Sequence, residues 1–396
     1  MNGFFYHLSK RSGDDLMRLA TRVGIGFLVV GSMAPTVLHA ASSVKPYGFI
    51  LGMGAYNHGN AYPSDLAFIA QSSATMPGSF LITGRHTRLG MRVQPDSTVP
   101  ATGVVEVDFW GLRGSTAGGA AQQTSIRLRL AYLRLQPNPR TTLTFGQDWL
   151  AFAPANPAVP GLLTTCGNLW VRMPQARIDY SVAPFLFQFA LVRPFVGDMT
   201  ATPVEQTDPL GSGERSKLPF VQGRVAYTLA PGMTFGLSGH MGKQDWNDGT
   251  GTINSLAGAF DYDIRRGPFR IVGEFASGQS LGGINALTKF HQDPATGKRY
   301  AETGYMGWFE ATYKFSPKWM ASVAAGQEKA DWNATHTAML TRQTMDRNRA
   351  GYVNVVWQPW APFRLITQLD VIRSHYIAPA VENKVEVLSV GAMLIF

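Results

Sequence analysis

Val385-Glu386-Val387-Leu388-Ser389-Val390-Gly391-Ala392-Met393-Leu394-Ile395-Phe396 alternates with period two to the last residue and stops on an aromatic side chain. Counting back from Phe396, the even positions Leu394, Ala392, Val390 and Leu388 form an unbroken apolar face; the odd face mixes Ser389 and Gly391 with Met393 and Ile395. A terminal strand of this kind presents an apolar edge that needs a partner. It is either the buried last strand of a soluble β-protein or the closing strand of an outer-membrane β-barrel, with Phe396 in the interfacial aromatic girdle.

The punctuation of the chain favours the barrel. Short proline-centred breaks stand at Gln94-Pro95-Asp96, Pro137-Asn138-Pro139, Ala183-Pro184, Ala230-Pro231-Gly232, Gly267-Pro268, Ser316-Pro317-Lys318 and Pro359-Trp360-Ala361-Pro362. Proline fixes φ and cannot donate to a ladder, so each break predicts a tight hairpin between two alternating runs. Between them lie long polar or Gly/Pro-rich stretches at 57–84, 111–124, 150–171, 193–217, 243–251, 277–301, 330–347 and 374–382. Eight long loops alternating with seven short turns require sixteen strands, with both chain ends on the short-turn side. That is the plan of a bacterial outer-membrane barrel: short periplasmic turns, long extracellular loops and an even strand number. The length leaves roughly 22 residues per strand and connection, enough for spanning strands of about 9–11 residues.

Composition agrees. Charged residues make up 15% of the 396, well under the roughly 25% of an average soluble domain. Mean hydropathy of −0.04 excludes a bundle of transmembrane helices but not a barrel, whose strands are apolar on one face only. The single cysteine, Cys166, excludes an intramolecular disulfide framework. Lys10, Arg11, Arg18 and Arg22 precede and border an apolar run over 23–34 that is too short to span a bilayer as a helix. Leu38-His39-Ala40 then supplies small residues for cleavage. Residues 1–40 are therefore expected to be a cleaved signal peptide and 41–396 a single barrel domain.

Strand faces predict what the interior holds. Leu89, Met91 and Val93 oppose Arg88, Gly90, Arg92 and Gln94; Val105, Val107 and Phe109 oppose Glu106 and Asp108. Ile126, Leu128, Leu130 and Tyr132 oppose Arg127, Arg129 and Ala131, and Phe185, Phe187, Phe189 and Leu191 form a lipid-type face. Val221, Val225, Tyr227 and Leu229 oppose Gln222 and Arg224. An arginine facing lipid at the midplane costs about 2–4 kcal/mol, so these arginines must face a solvated lumen. Tyr47, Tyr56, Trp110, Trp149, Tyr180, Trp246, Tyr262, Tyr305, Trp319, Tyr352, Trp357 and Trp360 fall near strand ends and are expected in the girdles.

Arg88, Arg92, Arg127, Arg129 and Arg177 would line one wall as a basic ladder, with Arg85, Arg134 and Arg172 nearby. Guanidinium groups hold carboxylates and phosphates bidentately, and arginine rings in a pore favour anions. In the other reading, these arginines pair with Glu106, Asp108, Asp148 and Asp179 as structural bridges. The third loop, about 150–171, is stiffened by Pro154, Pro157 and Pro160 and carries Phe152, Val159, Leu162 and Leu163. It is expected to fold inward and narrow the channel.

Five motifs in order carry a resemblance: Thr87-Arg88-Leu89-Gly90; Glu106-Val107-Asp108-Phe109; Ile126 through Tyr132; Phe145-Gly146-Gln147-Asp148-Trp149; and Val171 through Tyr180. Over residues 85–180 the chain resembles the DcaP-like porins. The resemblance implies a homotrimeric, sixteen-stranded outer-membrane channel for small anionic solutes, dicarboxylates among them, with the matched arginines at the pore. It also implies that Phe396 is read by the outer-membrane assembly machinery. Asp148, beside the usual Gln-Trp pair, departs from the family pattern and adds negative charge. The expected surroundings are outer-membrane lipid of a Gram-negative-type bacterium.

The competing functions are a barrel enzyme and a structural or adhesion barrel with a blocked lumen. No G-x-S-x-G, H-E-x-x-H or paired-cysteine metal motif is present, and the histidines are scattered. No catalytic residue, metal, cofactor or nucleic-acid partner is expected.

Overall fold

The computed structural model describes residues 43–72, 74, 76–111, 125–158, 166–194, 212–245, 251–284, 290–292, 299–331, 344–377 and 380–396. The chain divides into two units, Met1–Ala40 and Ala41–Phe396. The first, expected to be the signal peptide, lies outside the described residues.

Sixteen antiparallel strands follow one another around a closed barrel. They are β1 (Ser43–His58), β2 (in two parts, Gly78–Thr83 and Arg88–Gln94), β3 (Ala101–Gly111), β4 (Ser125–Asn138), β5 (Thr141–Trp149), β6 (Arg172–Val182), β7 (Phe185–Val192) and β8 (Phe220–Ala230). The second half comprises β9 (Met233–Asp245), β10 (Thr252–Arg266), β11 (Phe269–Gln279), β12 (Thr303–Ser316), β13 (Trp319–Asp331), β14 (Thr344–Trp360), β15 (Phe363–Ile377) and β16 (Val381–Ile395). All seven proline-centred breaks fall between hairpin strands, as their chemistry dictates.

The terminal edge is closed. β16 pairs with β1 from Phe49↔Ile395 to His58↔Glu386. Gly48 N–H donates to Phe396 O at 3.0 Å, and Phe396 N–H donates back to Gly48 O at 3.1 Å. Closure satisfies the backbone groups that an open sheet would leave unpaired in lipid. Leu388, Val390, Leu394 and Phe396 are exposed on the outer face, while Ser389 and Met393 are buried on the inner one.

Three expectations about orientation are corrected. First, the alternation along β4 breaks at a bulge: Glu106 faces Leu130 but Val107 faces Leu128, leaving Arg129 as the extra residue. A bulge sends two successive residues to one side and reverses the parity beyond it. Leu133 is therefore exposed outside, and Tyr132 sits inside beneath the Arg134 guanidinium. Second, three supposed girdle residues belong to the interior. Tyr352 is buried and donates to Glu310, Trp110 is buried against Arg127, and the Tyr47 ring lies over Gly90, where a Cβ would come within 2.4 Å of it. Trp319, Trp357 and Trp360 do sit exposed at the short-turn end, the first two stacked at 5.6 Å. Trp246 lies outside the described residues. Third, the stretch 57–84 is not all loop. Asn60–Tyr62 pairs with Ile69–Gln71, and Gly78–Thr83 has already rejoined the wall.

Candidate channel wall and inward loops

The basic wall forms from β2 to β6, on inner-face positions of neighbouring strands. Toward the long-loop end, Arg129 Nε donates to Glu106 at 2.8 Å and its Nη1 to Asp108 at 3.0 Å. Arg127 Nε donates to Asp108 at 3.0 Å, and Arg88 Nε lies 3.5 Å from Glu106. Arg129 is only 1% exposed, so this group is a packed ionic network rather than a set of free cations. Arg88 and Arg127 also lie over the rings of Phe49 and Trp110, at 5.1 and 4.9 Å. Such cation–ring contacts suit a guanidinium.

Toward the short-turn end the wall is more open. Arg177 reaches Asp148 and Asp179, each at 3.1 Å, and Arg134 reaches Asp148 at 3.0 Å with 38% of its side chain exposed. Arg92 is exposed, lies 6.0 Å from the Tyr47 ring, and has no carboxylate within ion-pair distance among the described residues. The ladder residues and Arg134 thus set six guanidinium groups on this wall, five of them paired with the four carboxylates of Glu106, Asp108, Asp148 and Asp179. Arg134 was no part of the predicted ladder. Its signal was the shift of leucines to odd positions at Leu133 and Leu135, which marks the bulge. Arg172 is different again: it is fully buried, with its guanidinium 4.4 Å from Trp149 and 5.4 Å from Trp170.

The third loop lies against the inner faces of β8, β9, β11 and β12. Phe152 N–H donates to Gln222 at 3.2 Å and Ala153 N–H to Ser238 at 3.2 Å. Ala155 N–H and Leu169 N–H, from the outgoing and returning arms, donate to the two oxygens of Glu274 at 3.0 and 3.1 Å. Ala158 N–H donates to Glu310 Oε1 at 2.7 Å. Backbone amides inside a barrel need acceptors, and the wall supplies them at these positions. Cys166 O packs against Gly326 of β13, where a Cβ would approach it to 1.9 Å. Burial raises the Cys166 thiol well above its ordinary range, so it stays protonated. Val159, Pro160, Leu162 and Leu163 lie outside the described residues.

The first loop also enters the barrel. Ala70 N–H donates to Ser374 at 2.8 Å, Tyr376 Oη donates to Ala70 O at 3.0 Å, and Asn348 donates to Phe68 O at 2.8 Å. Asp65 accepts from Arg85 and lies 3.0 Å from His86 Nε2, both in the break that divides β2. Burial alone would raise the Asp65 carboxyl, but hydrogen bonds from His86 and Arg85 outweigh it and hold the group well below the usual carboxylate range. The sequence reading missed these pins, along with Arg224 on Asp261 at 2.6 Å and Arg270 on Asp263 at 2.9 Å.

A closed sixteen-strand barrel with an apolar outer band, a charged inner face and inward loops defines the class: this is the fold of the Gram-negative outer-membrane porins. The particular likeness is to DcaP. The outer membrane channel DcaP of Acinetobacter baumannii superposes with a TM-score of 0.72 at 19% identity, covering 90% of this chain and 97% of that one. Salmonella typhi OmpF gives 0.60 at 12% identity over 89% and 97% of the two chains. The anion-selective porin of Comamonas acidovorans gives 0.56 at 13% over 90% and 100%. No family model matches the chain, and no curated protein matches it by sequence.

Proposed function

We propose that the mature chain is a passive, water-filled channel for small hydrophilic anionic solutes, carboxylates among them. The observation that carries this reading is the open half of the basic wall: Arg92 without a carboxylate partner among the described residues, and Arg134 sharing Asp148 with Arg177. A guanidinium that its own wall leaves unsaturated can take a carboxylate from a passing solute. Arg88, Arg127 and Arg129, locked on Glu106 and Asp108, serve mainly as the frame that holds the wall. The third loop, held against the far wall, sets the width of the passage opposite these arginines. A porin of the same fold described as anion-selective supports the reading by analogy. Cleavage after Ala40, assembly as a homotrimer and recognition of Phe396 by the assembly machinery complete the proposal.

The test is the reversal potential of single channels in a planar bilayer under a salt gradient. The unmodified protein should prefer anions, and Arg92→Ala with Arg134→Ala should move the reversal potential toward cations. Cation preference in the unmodified protein overturns the reading. One observation favours a second reading, a blocked barrel: both the first and third loops occupy the interior. Electrical silence of correctly folded protein would establish it instead.

A further inference from the structure

The outer face of the barrel carries charge where β14, β15 and β16 approach the long-loop end. Arg347 and Arg349 on β14 flank inward-facing Asn348, and Arg373 on β15 neighbours inward-facing Ser374. On β16, Glu382, Lys384 and Glu386 share the outward parity of Leu388 and Val390. The register sets Arg349 opposite Arg373, and Arg373 opposite Lys384. Like charges directly opposite across a ladder repel one another, so a row of three cations needs a counter-charge.

The described residues supply only part of it. Glu382 lies 2.6 Å from Arg349 and 3.7 Å from both Arg347 and Arg373. Lys384 is taken by Glu386 at 2.6 Å. Three guanidinium groups therefore share one carboxylate, an excess of two positive charges, and Arg347 Nε is a buried donor with no hydrogen-bond partner among the described residues. Beside the row lies a cavity of about 320 Å³ lined by His58, Gly59, Pro77, Lys384 and Glu386.

Height in the membrane selects the occupant. Four residues below the row, Val353, Leu369 and Leu388 are paired in line and exposed on the outer face. Eight residues below Arg349 is Trp357, in the aromatic girdle of the short-turn end. At about 3.3 Å per residue and a tilt of about 40°, eight residues rise roughly 20 Å, close to the full height of an apolar band of about 25 Å. The guanidinium groups thus stand at the outer headgroup level, directly above a surface made for acyl chains. We propose that Arg347, Arg349 and Arg373 form a binding site for the phosphate of a phosphorylated lipid in the outer leaflet, its chains lying on Val353, Leu369 and Leu388. Guanidinium forks match phosphate geometry, and the two missing negative charges match a phosphomonoester. The inference rests on the barrel and its orientation, not on ion selectivity.

The full-length mature protein, folded in neutral detergent, is titrated with dioleoyl phosphatidic acid or dioleoyl phosphatidylcholine, and bound lipid is counted by native mass spectrometry. Phosphatidic acid should be retained at least about tenfold better. Arg347→Gln, Arg349→Gln and Arg373→Gln together should abolish the preference, while Glu382→Gln, which leaves the arginines unopposed, should increase it. Circular dichroism checks that each variant is folded. Should the triple variant fail to fold, Glu382→Gln decides, since unchanged or weaker retention overturns the site. Equal retention of both lipids, or a triple variant that keeps the preference, overturns it. Displacement of phosphatidic acid by millimolar inorganic phosphate would mark a free-anion site, and a lipid-free dimer lost in the triple variant would mark a contact between copies; either result overturns the lipid assignment.

Discussion

Glu274 holds both arms of the third loop, so replacing it by alanine tests whether the loop is latched by the wall. The side chain, 3% exposed, accepts Ala155 N–H at 3.0 Å and Leu169 N–H at 3.1 Å. Removing the acceptor leaves two amide donors unpaired inside the barrel at about 1–3 kcal/mol each, so the gross loss is roughly 2–6 kcal/mol. Part returns, because the variant no longer buries a polar carboxyl group. A net weakening of about 3 kcal/mol raises the population of the detached loop about 100-fold. Amide hydrogen exchange at Ala155 and Leu169 should accelerate by a comparable factor, and single-channel records should show new fluctuations between conductance levels. Glu274→Gln keeps one acceptor oxygen and should lie between the two. Unchanged exchange at both amides in Glu274→Ala would refute the latch, because nothing else described accepts these two hydrogens.

Gly326→Ala places a methyl group 1.9 Å from Cys166 O, so the returning arm must shift; a cost of about 1–3 kcal/mol is expected, read as faster exchange from Cys166 to Leu169. Deleting residues 153–161 should raise single-channel conductance, and an unchanged value would remove this loop from the constriction. The Asp65 carboxyl is held below its unfolded value, so its contribution to anchoring the first loop is complete above the ordinary carboxylate pKa of about 4. That contribution is lost as pH falls from there through the depressed folded value. Protease accessibility of the first loop should therefore rise in strong acid, and Asp65→Asn should show raised accessibility already at neutral pH. Accessibility that is flat with pH in both proteins would contradict the anchor.

Much of the architecture is written in local chemistry. The proline breaks, the long polar stretches and the period-two faces were enough for the strand count and the lipid face of β16, and they set Arg88, Arg92, Arg127 and Arg129 opposite the apolar residues of their strands. They suffice because lipid leaves the backbone few choices: every N–H and C=O must be paired, so alternating strands of this number close into a barrel. The sequence by itself also placed Glu106 and Asp108 on the face of those arginines, yet left open whether charges on that face pair with one another or with a solute.

Which of those charges pair with one another was decided only by the tertiary structure, residue by residue, through contacts between neighbouring strands. One extra residue at Arg129 reversed the parity of β4 and brought Arg134 inside, a shift that a repeating hydrophobic pattern tolerates on either side of a bulge. Trp110 and Tyr352 read as girdle residues because any aromatic near a strand end does; what turned them inward is packing on Arg127 and Glu310. The inward loops are held by amides of Ala70, Ala155 and Leu169 on side chains more than a hundred positions away, at Ser374 and Glu274. A backbone amide carries no sequence signature of its acceptor, so these pins, and the outward arginine cluster around Glu382, exist only once the sheet has closed and its register is set.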